Sequence, residues 1–179
     1  RALGGLAAEV RGFMKGQERI SVCAVLSSLN VYTQIFSLPE VTGEALESAA
    51  ELNARMASPA EFSEVYSGWQ IAGSDEAAGK IEVLSAFIDR SLVDELASAL
   101  SEAGFLAVTL ESRALSLARL LRERGAGFDK ERAYIVLSLD DVGFDLLVVR
   151  RGRLYFGYFN PWRDIADEKG QVSLPVFEA

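Results

Sequence analysis

Between Ile81 and Leu121 the chain reads IEVLSAFIDRSLVDELASALSEAGFLAVTLESRALSLARLL, with almost no residue to spare between elements. In its first part Ile81, Val83, Ser85 and Phe87 alternate with Glu82, Leu84, Ala86 and Ile88. Both sets are largely apolar, which predicts a strand buried on its two faces. Asp89-Arg90-Ser91 breaks the run, with Ser91 as the expected N-cap and Asp94 and Glu95 in the first turn, at the helix's positive end. Leu92, Val93, Leu96, Ala97, Leu100 and Ala103 then mark one helical face, and Gly104 stands where a left-handed stop is wanted. Phe105–Leu110 reads as a second strand, and Glu111-Ser112 opens a helix whose apolar positions are Ala114, Leu115, Leu117, Ala118 and Leu121. Such tight strand-helix alternation places the chain among mixed α/β folds.

The flanking sequence extends the pattern. Leu3–Lys15 carries Leu6, Ala7, Val10, Phe13 and Met14 at helical spacing. Ile20–Leu26 and Val31–Leu38 alternate as strands, and the short Ser27–Asn30 link predicts a hairpin. Pro39 stops the second strand, and Thr42 is the expected cap of a helix through Met56. Tyr66–Ala72 is strand-like and is joined by the polar run Gly73–Gly79 to the strand near Ile81. Residues 31–111 therefore read β(31–38), α(42–56), β(66–72), β(81–88), α(91–103), β(105–110). This is the split βαββαβ, ferredoxin-like order, with two helices on one face of an antiparallel sheet. Gly125-Ala126-Gly127 is a candidate boundary. Beyond it Ala133–Leu139, Phe144–Arg150 and Leu154–Phe159 predict a meander with hairpin-length links.

Composition excludes several classes of chemistry. The 179 residues contain no His and only Cys23, which removes serine-histidine and cysteine-histidine catalysis, the usual zinc sites and any disulfide framework. Lys and Arg total 18 against 26 Asp and Glu, and a net charge of −8 repels nucleic-acid phosphates. No apolar run reaches the roughly 20 residues that span a bilayer, and no signal-peptide pattern is present, so the expected compartment is cytoplasmic. The chain starts at Arg1, which reads as a fragment or a processed form.

The order of elements resembles the PilM family of actin-like type IV pilus assembly proteins, related to FtsA and to the secretion protein GspL. Ser37–Gly73, with Leu38-Pro39, Pro59 and Trp69-Gln70, is similar to that family's strand, helix, Pro-containing loop and aromatic-Gln strand. Lys80–Leu121 matches the strand-helix-strand-helix that follows, and YIVLSLDDVGFDLLVVRRGRLYFGYF resembles the opening meander of the second actin-like lobe. The resemblance implies an α/β (α+β) chain of actin-like, ribonuclease H-like lobe fragments around an inserted ferredoxin-like subdomain. Residues 1–30 would end the first lobe, 31–111 form the insert, 112–132 connect, and 133–179 begin the second lobe.

The resemblance also implies a phosphate loop, and there this chain departs from the family's Asp-Ile-Gly opening. Aligned on Asp145-Leu146-Leu147-Val148-Val149, Ser138 stands for the Asp, Asp140 for the Gly, and Asp141 among the residues whose amides would cradle phosphate. A carboxylate there repels phosphate by about 1 kcal/mol per charge pair in water and more when desolvated. Either the two aspartates are a solvated turn or one holds Mg²⁺, which itself needs a phosphate partner. The resemblance therefore implies no catalytic residue and no cofactor in this chain, a degenerate actin-like ATPase, with Mg-ATP left possible for a longer protein. The Gly-Gly that usually follows the meander in the family is absent after Trp162.

What it implies for function is a scaffold in a type IV pilus or type II secretion assembly, peripheral to the bacterial inner membrane. A short cytoplasmic peptide of a PilN-like membrane partner would dock in a groove lined by Ile20–Leu38 and the flanking helices, at the free edge of Val31–Leu38 or between helices. The alternative is an active ATPase of the same machinery. Nucleic acid is excluded as a partner, and membrane association would come through partners.

Four further features have their own readings. Gly125–Lys130 lacks the spacing and the Lys-Ser/Thr end of a P-loop. Glu44, Glu47 and Glu51 lie on the polar side of a helix. Arg150-Arg151-Gly152-Arg153 is either a solvated turn or a site for an anionic partner or membrane. Tyr155, Phe156, Tyr158, Phe159 and Trp162 exceed what one strand face buries, which suggests either a docking or lobe interface or residues uncovered by truncation.

Overall fold

The computed structural model describes Gly5, Glu9, Val10, Gly12 and residues 20–129 and 131–165. The four isolated positions are helical and lie within the helix expected over Leu3–Lys15; Ser173-Leu174-Pro175, where Pro at an early turn would suit a helix start, lies outside the described residues. The elements are β1 (Ile20–Leu26), a 3-10 turn (Ser28–Asn30), β2 (Val31–Pro39), α1 (Glu44–Ala57), β3 (Val65–Asp75) and β4 (Lys80–Asp89). They continue as α2 (Arg90–Glu102), β5 (Phe105–Ser112), α3 (Arg113–Arg124), β6 (Ala133–Leu139), β7 (Gly143–Arg150), β8 (Arg153–Pro161) and the single turn α4 (Trp162–Ile165). The mixed α/β class holds.

Three small sheets form among the described residues: β1-β5, β2-β4-β3 and β6-β7-β8. Two expectations change here. β1 and β2 do not form a hairpin; the 3-10 turn, capped by the Ser27 side chain, redirects the chain, and β1 pairs in parallel with β5. A ferredoxin-like order would seat β5 beside β2, but β5 leaves that sheet for β1, and α2 goes with it. Leu96 and Leu100 of α2 pack with Ile20 and Phe105, so of the two helices expected on one face of the three-stranded sheet α1 alone packs there.

β4 is the central strand of that sheet, as its two apolar faces require. Val83 and Phe87 are turned to α1, against Ala50 and Ala54, while Leu84 on the opposite face joins α3 and the meander. Ala114 and Ala118 let α3 approach Leu147 and Val149 of β7 and Leu154 of β8. Full burial of each of those three side chains contributes roughly 2 kcal/mol. One ion pair and two hydrogen bonds link this sheet to the meander: Arg150 reaches Glu82 at 3.5 Å, the Tyr155 hydroxyl donates to Glu82 at 2.7 Å, and Arg153 donates to the Ile71 carbonyl at 2.7 Å. Most of the basic hairpin is thus turned onto β3 and β4.

Two caps shift from their expected residues. Asp89, not Ser91, caps α2, because its Oδ1 accepts both the Leu92 N–H at 3.0 Å and the Ser91 hydroxyl. α1 starts after Gly43, at φ 60°, without a side-chain cap from Thr42. Gly104 has φ 84°, the left-handed stop that its position predicts.

Candidate functional site

The β6–β7 turn carries the positions aligned with a phosphate loop. Ser138 sits on β6 directly opposite Asp145 of β7, and Asp141 lies exposed at the turn. Asp140 does something neither sequence reading anticipated. Its Oδ1 accepts the backbone N–H of Val142 at 2.9 Å and of Gly143 at 2.8 Å, so the turn's amides already hold a carboxylate. Its Oδ2 accepts from Arg113 Nη1.

Arg113, the first residue of α3, joins this turn to the interior. Its Nε donates to Asp145 Oδ2 at 2.8 Å and its Nη2 lies 2.6 Å from the same oxygen. Asp145 is fully buried. The Trp162 indole donates to the Asp140 carbonyl at 2.6 Å, its backbone N–H donates to Val142 O at 3.0 Å, and its ring lies 5.8 Å from that of Phe144. Gly143 must be glycine, since a Cβ there would stand 2.3 Å from the Asn160 carbonyl oxygen. The turn is therefore fastened on all sides. The signal that could have revealed this is the spacing Asp140-x-x-Gly143, the signature of an aspartate closing its own turn.

A second site lies between the sheets. A groove of about 420 Å³ has Leu84, Ala86 and Ile88 of β4 along one side, with Leu26, Val93, Leu110 and Leu115 contributed by β1, α2, β5 and α3. Its rim is Tyr66–Gln70 of β3. β3 is an edge strand, paired with β4 on one side only, and Tyr66, Ser67, Gly68 and Trp69 are exposed. Alternate backbone groups along that edge point away from β4, available to an added strand. The rim is held in place: the Tyr66 hydroxyl donates to Asp94 at 3.0 Å, and the Arg90 guanidinium lies 4.0 Å from the Tyr66 ring centroid. Across the groove Glu111 is clamped by both terminal nitrogens of Arg119, Nη1 at 2.9 Å. From Ile20–Leu38 this groove takes Leu26 and Val31, and the edge strand along its rim is β3.

Other candidates resolve simply. Among the described residues no cluster of three potential ligands could hold a metal ion, and no helix is long and apolar enough to cross a membrane. Cys23 is exposed on β1. Phe156 and Tyr158 are exposed, and with Ile135, Leu137 and Leu139 they make the outer face of the meander apolar.

No protein-family model matches the sequence, and no curated protein matches it. Solved structures do. A chain of the PilM-PilN type IV pilus biogenesis complex superposes with a TM-score of 0.68 at 20% identity, over 90% of this chain and 50% of that one. The fold is PilM-like. The cytoplasmic domain of EpsL, an inner membrane component of the type II secretion system of Vibrio cholerae, gives a TM-score of 0.58 at 11% identity over 94% of this chain and 62% of that one. A Bacteroides thetaiotaomicron protein with an actin-like ATPase fold is a looser likeness, with a TM-score of 0.43 at 15% identity over 89% of this chain and 58% of that one. This chain thus spans about half the length of the PilM-PilN relative.

Proposed function

We propose that this chain belongs to an actin-like scaffold of a type IV pilus or type II secretion assembly, working at the cytoplasmic side of the inner membrane. Its PilM-like groove docks an extended cytoplasmic peptide of a PilN-like membrane partner. One observation carries the reading: an apolar groove of about 420 Å³ runs beside the unpaired edge of β3. A peptide strand added at Tyr66–Gln70 would gain main-chain hydrogen bonds from the edge and seat alternate apolar side chains against Leu84, Ala86 and Leu115. In this organisation β1, α2 and β5 close the first lobe, β2 to β4 with α1 are the insert, and β6 opens the second lobe.

The same reading makes the chain non-catalytic. A nucleotide phosphate would need the amides of Val142 and Gly143, and the Asp140 carboxylate holds both. The residues present do not fit Mg-ATP, and no hydrolytic step is assigned to them.

Two binding experiments test this. Calorimetric titration of the full-length protein with the cytoplasmic peptide of its PilN-like neighbour is expected to give micromolar affinity, and absence of heat with every such tail contradicts the docking reading. Mg-ATP is expected to leave the melting temperature of the full-length protein unchanged; a saturating rise would favour an active ATPase.

A further inference from the structure

Where the 3-10 turn, β2, the start of α3 and strands β7 and β8 meet, there is a cavity of about 30 Å³. Its polar lining is Ser28, Thr33, Ser112 and Asp145, all oxygen-bearing side chains. Asp145 is completely buried, and its two oxygens are treated differently. Oδ2 is held by Arg113, while Oδ1 has no hydrogen-bond partner. The buried Ser28 hydroxyl is also without one. Ser112 Oγ already accepts the Leu115 N–H at 3.2 Å. A buried carboxylate oxygen and a buried hydroxyl, both orphaned beside the same small space, require an occupant.

We propose that this cavity binds a monovalent cation, Na⁺ or K⁺. Charge is the first reason. Asp140 and Asp145 share a single guanidinium, so the cluster keeps one uncompensated negative charge. Asp140 is 26% exposed and partly solvated, but Asp145 is not exposed at all, and a neutral water at its unpartnered Oδ1 would leave the net charge of the cluster in place. Donor chemistry is the second: carboxylate and hydroxyl oxygens suit hard cations. Charge count excludes the divalent ions: the lining offers a single carboxylate beside neutral hydroxyls, whereas Ca²⁺ and Mg²⁺ sites rely on several carboxylates or on phosphate. The ion would tie the turn after β1 to α3 and β7, joining the three sheets at one point.

The test uses the intact protein, melted in choline chloride that is replaced stepwise by NaCl or KCl at constant ionic strength, so that general screening does not change. The expected result is a melting temperature that rises by several degrees and saturates with one of the two ions. Ser28→Ala, which should fold normally, is expected to need several-fold more ion for the same rise, and Asp145→Asn to lose the ion dependence. Identical melting in choline, Na⁺ and K⁺ overturns the proposal and assigns the cavity to water. An ion-dependent rise that persists unchanged in both variants overturns it as well.

Discussion

Asp140 Oδ1 accepts the backbone N–H of Gly143 at 2.8 Å, so a side chain fills the place where this turn would meet an external anion. The same carboxylate also caps Val142 N–H and pairs with Arg113. Asp140→Ala is therefore expected to lower stability by about 1–3 kcal/mol, because it leaves partly buried donors unsatisfied. Urea denaturation measures this. A variant as stable as the wild type would mean that water replaces the carboxylate at no cost.

Arg113 and Asp145 form a buried pair, with Arg113 19% exposed and Asp145 not exposed at all. Removing one partner strands the other, so Arg113→Met is expected to cost about 3–5 kcal/mol. The double change Arg113→Met with Asp145→Leu is expected to cost less than the sum of the single changes. A double-mutant cycle reads the difference directly.

Tyr155 supplies a pH-dependent contact between the meander and β4. Its hydrogen bond to Glu82, aided by burial and the Glu82 charge, raises the phenol above the ordinary tyrosine value. The contribution is complete below about pH 10, where the unfolded phenol titrates, and is lost as pH rises through the higher folded value. Ultraviolet titration of phenolate should show a late-titrating tyrosine that disappears in Tyr155→Phe.

Ala86 faces the groove from the middle of β4. Ala86→Arg would fill the space with a long cation and is expected to weaken peptide binding at least tenfold, about 1.4 kcal/mol. The melting temperature should stay near that of the wild type, because the new head group can reach solvent. Calorimetry and a melting curve on the same sample separate lost binding from lost folding.

Much of the architecture could be read locally. β4 announced itself through apolar residues on both faces, and α3 through the spacing of Ala114, Ala118 and Leu121. The pairing of β1 could not be read in this way. Ile20 finds Phe105 across a long stretch of chain, and the cost of closing such a loop grows too slowly with length for sequence proximity to decide the partner. The groove beside β3 could not be read locally either: Leu26, Val93, Leu110 and Leu115 meet β3 and β4 only after the sheets pack. At the phosphate-loop positions Asp140 was visible as a misfit, but its hold on Val142 and Gly143 depends on turn geometry.

The central claim is that an extended peptide adds to β3 within the groove. Hydrogen–deuterium exchange of the full-length protein, with and without the cytoplasmic peptide of the proposed PilN-like partner, tests it most directly. The account predicts slowed exchange at Ser67–Gln70 on peptide addition, with the β2 edge at Val31–Leu38 unchanged. Protection of β2 alone, or unchanged β3 exchange at saturating peptide, would contradict it.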